Sequence, residues 1–235
     1  MKKQNENLKN LALLRKIPLF SGLAEQNLRY IAGISIRKTY KEGDIIFTKN
    51  TFGKTIYIVV SGRIKIFTEY SSGRKKTLVY LDSGEFFGEL AVLCKPLRSA
   101  SAQVLNDCEL LVIQQKDFLE ILKAYPNVSL NLITALCNRL READKEIESL
   151  SFYSILGRIA RILLNLEKRY GKSTPQGRML NLPLEKRDIA ELAGTVREVA
   201  TRALTKLVKV GCIKYAGKHM IITDINRLLA ITNYR

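Results

Sequence analysis

Glycine-bearing turn pairs recur through residues 34–115, at Gly43-Asp44, Ser61-Gly62, Ser72-Gly73 and Ser83-Gly84. Between them lie short runs rich in β-branched and aromatic residues: Ile45-Ile46-Phe47, Ile56-Tyr57-Ile58-Val59-Val60, Ile64-Lys65-Ile66-Phe67 and Thr77-Leu78-Val79-Tyr80-Leu81. Turn signals spaced roughly 8–12 residues apart predict an antiparallel barrel or roll. After Pro126 the period changes. Ile133, Leu136, Leu140, Ala143, Ile147 and Leu150 follow one another three and four residues apart, an a/d stripe on a helix over 126–152. Such a stripe packs on a second copy of the chain or on its own domain. Arg139, Arg141, Glu142, Asp144, Lys145, Glu146 and Glu148 are assigned to the solvated face of this helix.

Short helices are expected over residues 8–30, and a further helix over Ile155–Tyr170. Gly171 to Gly177 reads as a loop. Two short helical segments, about 185–193 and 196–210, flank Gly194-Thr195. A hairpin through Ala216-Gly217-Lys218 and a helix capped by Asp224 close the chain. The chain of 235 residues is long enough for two domains, and 46% apolar residues supply a core for each. The expected class is α+β.

Lys and Arg number 39 against 22 Asp and Glu, for a net charge of +17. The excess is concentrated: residues 154–235 carry about +10 and residues 126–153 about −1. That balance points to a polyanion, nucleic acid or an anionic membrane surface, unless it is only a basic, soluble surface. With four dispersed cysteines and one histidine, His219, there is little from which to build a zinc site or a Cys/His nucleophile pair. No metal and no catalytic group is expected. No apolar run suits a signal peptide or a membrane span, so a cytoplasmic protein without a membrane partner is expected.

The most informative stretch runs from Phe86-Phe87-Gly88-Glu89-Leu90-Ala91 to Arg98-Ser99-Ala100. A glycine at a helix start leaves amides free to hold an anion. An arginine ten residues on can return to pair with a phosphate. Glu89 beside such a site would repel an anion, but it suits a sugar hydroxyl. Together these groups fit a sugar phosphate, although Arg98 and Glu89 could equally be an ion pair on a barrel rim. From Leu184 to Leu207 the sequence reads as a helix-turn-helix, with Gly194 at the turn. Ile189, Leu192 and Ala193 bury one helix and Val199, Ala203, Leu204 and Leu207 the other. Arg197, Glu198, Thr201 and Arg202 are left facing outward where a second helix meets base edges. Arginine suits guanine and glutamate accepts from cytosine, whereas outside such a frame an Arg-Glu pair is usually solvated surface.

These motifs, in this order, resemble the catabolite activator / fumarate-nitrate regulator (CRP/FNR) superfamily over the whole chain. The Gly88-Glu89-Leu90-Ala91 to Arg98-Ser99-Ala100 run resembles the phosphate-binding cassette of its cyclic-nucleotide-binding domains. The resemblance implies that Arg98, Ser99 and the amide of Ala100 hold a cyclic phosphate. Glu89 would take the ribose 2′-hydroxyl, and Gly88 and Leu90 would shape the cradle. Where responsive members read adenine with a Thr-Ser pair on the dimer helix, this chain has Ala143-Asp144; Asp144 accepts from an adenine amino group across the dimer or is a plain solvated charge. Arg197-Glu198 and Arg202 resemble the superfamily's recognition helix, implying a half-site akin to TGTGA or TTGA. Lys186 and Lys218 match phosphate-contacting positions. Val196 replaces the usual capping serine, so Thr195 is expected to cap one residue early. The resemblance implies an effector domain over 1–125 (a β-roll at about 18–120), a dimerisation helix and hinge over 126–153, and a winged helix-turn-helix over 154–235. It implies double-stranded DNA, a second copy of the chain, RNA polymerase and a small effector, cyclic AMP or another cyclic nucleotide, as partners. The runner-up expectation is the same fold with a different effector or none.

Overall fold

The computed structural model describes residues 2–217 and 219–232. The chain is α+β and divides into two compact units, residues 1–69 with 78–140, and residues 70–77 with 141–235.

In the first unit, α1 (Lys2–Leu14), a 3-10 turn at Pro18–Phe20 and α2 (Glu25–Ile34) precede the strands. Then come β1 (Ile36–Tyr40), β2 (Ile45–Phe47), β3 (Thr55–Glu69), β4 (Lys75–Leu81), β5 (Phe86–Phe87), α3 (Glu89–Leu93), β6 (Ser101–Gln114), α4 (Gln115–Ala124) and α5 (Pro126–Phe152). The sheet runs β1-β6-β3-β4, with β2 also on β6 and β5 on β3. The long strands β3 and β6 are antiparallel, and their register shifts between Val59 and Ile64. Such irregularities bend a long ribbon. Gly62 sits in this stretch at φ +87, where an added Cβ would lie 2.4 Å from the Cys108 Cβ. The bend gives the sheet two apolar surfaces. Ile56, Ile58, Leu111 and Ile113 pack with Phe20, Ile31, Phe118 and Leu132 of the helices. Val59, Ile64, Leu81, Phe87, Val104 and Leu110 form a second cluster. Each such side chain contributes on the order of 1.5–3 kcal/mol by leaving water. The sequence reading missed α4, whose buried Phe118 and Ile121 follow directly on β6.

In the second unit, the end of α5 is followed by α6 (Ile155–Tyr170), β7 (Gly171–Thr174), β8 (Gly177–Leu180), α7 (Lys186–Ala193), α8 (Arg197–Lys209), β9 (Ile213–Ala216), β10 (His219–Ile222) and α9 (Ile225–Thr232). Ser154 caps α6 by accepting from Gly157 N at 3.2 Å. The expected loop at 171–177 is instead a hairpin that extends the wing to four strands, β7-β8-β10-β9. Its polar residues gave no alternating pattern. The strand comes from tertiary pairing of Lys172 with Met179 and of Met179 with Ile221. Asp224 caps α9 as expected, accepting from Arg227 N at 2.8 Å.

Candidate ligand pocket and nucleic-acid interface

In the first unit, β5 ends at Gly88, which takes the left-handed conformation (φ +84) and opens the short helix α3. Beside it is an open-sided cavity of about 180 Å³. Gly88, Glu89, Leu90, Arg98, Ser99 and Ala100 all line it, so the structure brings the whole predicted cassette together. Ile66, Leu78, Val79 and Leu81 supply an apolar wall, and Arg139 of α5 completes the lining.

Arg98 is buried at 4% exposure. Its Nη1 donates to Thr55 O at 3.0 Å and to Gly88 O at 2.9 Å, and its Nη2 to Thr55 Oγ1 at 2.9 Å. The guanidinium lies 4.2 Å over the Phe47 ring. These partners are neutral, and burial pushes its pKa below the usual arginine range. Arg98 Nε is buried with no hydrogen-bond partner. Glu89 is similarly buried at 5%. Its Oε1 accepts from Arg139 Nη1 at 3.0 Å, while Oε2 is buried without a partner. Arg139 Nη2 also donates to Phe86 O at 2.5 Å, with the guanidinium 4.5 Å over the Phe86 ring. A buried polar atom left unpaired costs about 1–3 kcal/mol. Two residues that line the pocket, Arg98 and Glu89, thus each keep one buried polar atom unpaired.

In the second unit, α7 and α8 form the helix-turn-helix. Glu185 and Asp188 make a reciprocal capping box at the start of α7. Gly194 ends that helix in the left-handed conformation (φ +62). Ile189, Ala190 and Ala193 bury one helix, and Ala200, Leu204 and Leu207 the other. Arg197, Glu198 and Arg202 are exposed on α8, with Thr201 half-buried between them, and Lys186 is exposed at the first residue of α7.

A cyclic nucleotide-binding domain model matches residues 37–125, and a Crp-like helix-turn-helix domain model matches residues 157–231. A cyclic AMP receptor protein of Thermus thermophilus is 36% identical over 197 residues, spanning 84% of this chain and 88% of that one. The chain belongs to the CRP/FNR family of transcription regulators. A CRP-like cAMP-activated global transcriptional regulator of Mycobacterium tuberculosis is 26% identical over 92% of this chain and 96% of its own. Among solved structures, the c-di-GMP responsive global regulator CLP of Xanthomonas campestris superposes with a TM-score of 0.78 at 26% identity, covering 86% of this chain and all of that one.

In this CRP/FNR-family regulator several sequence expectations need correction. Arg139 is not on a solvated face. It lies seven residues after the buried Leu132 and four after Ala135, which packs on the roll core, so the inward row of α5 continues to it. That row was the signal for Arg139, obscured by its charged neighbours. Asp144 is exposed and does not line the pocket of its own protomer, to which α5 contributes Arg139. Of the six stripe residues, Ile133, Leu140, Ala143, Ile147 and Leu150 are exposed in the protomer, whereas Leu136 packs on the roll core. Leu130, 61% exposed, lies on the outward face and was overlooked. In the helix-turn-helix, Leu192, Val199 and Ala203 are only half-buried. Ala190 and Ala200 are buried in their helices instead. Thr195 does not cap α8: the N-cap is Val196, without a side-chain bond. Lys218 lies outside the described residues. Neither Gly53 nor Thr55 was anticipated beside Arg98. A Cβ on Gly53 would fall 2.2 Å from Arg98 Nε, so the bare backbone there makes room for the arginine.

Proposed function

We propose that this chain is an effector-gated DNA-binding regulator whose roll pocket takes a cyclic nucleotide, cyclic AMP foremost. The observation that carries the reading is a buried arginine and a buried carboxylate lining one pocket, each with an unpaired atom. Arg98 Nε lacks an acceptor and Glu89 Oε2 lacks a donor. A cyclic nucleotide brings an anionic phosphate oxygen and, on the ribose carbon next to the 3′ ester, a 2′-hydroxyl. Ser99 and the amide of Ala100 assist at the phosphate, Gly88 and Leu90 shape the cradle, and Asp144, exposed on α5, accepts from the base of the ligand held by the second copy. The names of the Thermus and Mycobacterium relatives support cyclic AMP.

The regulator acts as a homodimer in this reading, through the outward face of α5. Ile133, Leu140 and Ile147 are seven residues apart and 54–62% exposed, which favours a partner helix over packing within the protomer. Residues 1–125 form the effector domain, 126–153 the dimer helix and hinge, and 154–235 the DNA-binding domain. Thr195, Arg197, Glu198, Thr201 and Arg202 face a pseudo-palindromic site, with Lys186 and Lys218 at the phosphates. Effector binding biases a two-state arrangement of the dimer, and RNA polymerase in the cytoplasm is the downstream partner. The ligand is bound and not turned over.

Calorimetry of the purified protein against cyclic AMP, cyclic GMP and cyclic di-GMP, followed by selection from randomised DNA with and without the ligand, tests the reading. Cyclic AMP binding at micromolar level and a ligand-dependent palindrome are expected. Preferential binding of a cyclic dinucleotide would replace the effector, and binding of none below about millimolar would remove the nucleotide from the account.

A further inference from the structure

A basic hairpin tip belongs to the same compact unit as the helix-turn-helix. Residues 70–77, between β3 and β4, group with 141–235. The tip turns at Gly73 (φ +75), with Gly73 N donating to Tyr70 O at 2.8 Å and Tyr70 N to Arg74 O at 2.9 Å. Three cations follow in series, Arg74, Lys75 and Lys76.

The cations at the two ends of this series have different environments. Lys76 Nζ donates to Glu146 Oε1 at 2.7 Å and to Leu192 O near the C-terminus of α7. Next to it, the buried Thr77 donates through Oγ1 to Glu191 Oε2 at 3.3 Å. A Cβ on Gly194 would meet the Lys76 side chain at 3.8 Å. The strand is therefore docked on the turn between α7 and α8. Arg74 instead is exposed; its Nε donates to Ser72 Oγ at 3.3 Å, and it has no acidic partner among the described residues. It stands two residues, about 7 Å of extended chain, from Lys76. The helix α8 starts three residues beyond Gly194. An exposed guanidinium is thus carried by the hairpin whose strand meets the turn leading into α8. Arginine in that position has the fork geometry and permanent charge that suit a phosphate.

We propose that the β3–β4 hairpin tip is a second DNA-contacting element, in which Arg74 holds a backbone phosphate flanking the bases read by α8. This rests on the reading of α8 as the recognition helix. The contact is to the DNA backbone, so it adds affinity and salt dependence without base preference.

The test is the salt dependence of binding by the effector-loaded full chain to its selected DNA site, for wild type, Arg74→Ala and Arg74→Lys. Loss of one phosphate contact in each half-site should make the log–log salt slope of Arg74→Ala shallower by about 2. Affinity for all sequences should fall by a common factor, and Arg74→Lys should retain most of the slope. Effector calorimetry and thermal midpoint as in wild type would show that the variant is folded. Trimming the DNA ends until the flanking phosphates are gone should erase the difference between wild type and Arg74→Ala. A wild-type slope in folded Arg74→Ala, with the wild type selecting a clear site, overturns the tip contact alone. A change confined to binding an acidic protein partner overturns it in favour of that partner. Failure of wild type to select any site instead overturns the recognition-helix reading, and the tip contact with it.

Discussion

Arg139 Nη1 donates to Glu89 Oε1 at 3.0 Å and leaves the other oxygen of that carboxylate buried without a partner. The ion pair fixes the carboxylate, so a ligand hydroxyl meeting Oε2 finds it already oriented. A hydrogen bond to a charged acceptor contributes about 1.5–3 kcal/mol. Wild type should therefore bind cyclic AMP at least tenfold more tightly than its 2′-deoxy analogue, and Glu89→Ala should bind the two almost equally. Calorimetry of the four combinations forms a double-mutant cycle. An undiminished preference in Glu89→Ala would place the hydroxyl elsewhere.

Gly53 carries the second prediction. Its φ lies outside the left-handed region, so alanine is acceptable to the backbone, but the new Cβ would fall 2.2 Å from Arg98 Nε and 2.4 Å from Cζ. The guanidinium must then leave its seat over Phe47 and its bonds to Thr55 and Gly88. Gly53→Ala should weaken effector binding about tenfold or more, through loss of a charge-assisted contact. Gly33→Ala is the control: it sits in α2 with open space around it and should stabilise by roughly 0.5–1 kcal/mol. Equal effector affinity in both variants would mean that Arg98 does not depend on the space beside Gly53.

Local signals carried much of this structure. Glycine turns marked the roll, and α5 and α6 run over the ranges that their periodicity predicted. The cassette was legible because a short segment, 88–100, contributes most of its polar groups. What sequence reasoning missed is set by long-range packing. Thr55 and Gly53 reach Arg98 from across the sheet, and nothing near them in sequence announces it. Charged residues that turn inward, Arg139 and the 6% exposed Glu191, look like surface until their partners are placed. The wing hairpin 171–180 failed for the opposite reason: polar turn chemistry dominated strands that exist through their neighbours.

The cysteines separate two burial environments. Cys94 and Cys137 are exposed, whereas Cys108 and Cys212 are buried. Burial, with Asp107 and Asp44 nearby, pushes the Cys108 thiol up to about 11. The thiolate is the reactive form, so at pH 8 only roughly one Cys108 in a thousand is reactive. Burial also raises Cys212. Maleimide at pH 8 should therefore label Cys94 quickly and spare Cys108 and Cys212 until the protein unfolds. Cys137 lies between Ile133 and Leu140 on the outward face of α5, so a dimer should shield it. Leu140→Lys should release the dimer to monomer in sedimentation and bring Cys137 to the labelling rate of Cys94. Equal rates for Cys94 and Cys137 in wild type at tens of micromolar would remove that face from the dimer.

Glu198 and Lys186 are both exposed on the helix-turn-helix, yet they should fail in different ways. Glu198 lies in the first turn of α8, where a side chain reaches base edges, and a carboxylate accepts from cytosine N4. Lys186 lies at the first residue of α7. The capping box of Glu185 and Asp188 already engages backbone amides there, so a phosphate contact falls to the lysine side chain. In a randomised-site selection, Glu198→Ala should relax preference at one position of each half-site, at a cost of about 1–3 kcal/mol for the preferred base. Lys186→Ala should leave the selected sequence unchanged, weaken all sequences alike, and make the salt slope shallower by about 1 for each protomer. The reverse pattern, with Lys186 setting the preferred base and Glu198 neutral, would exchange the roles of α7 and α8 at the groove.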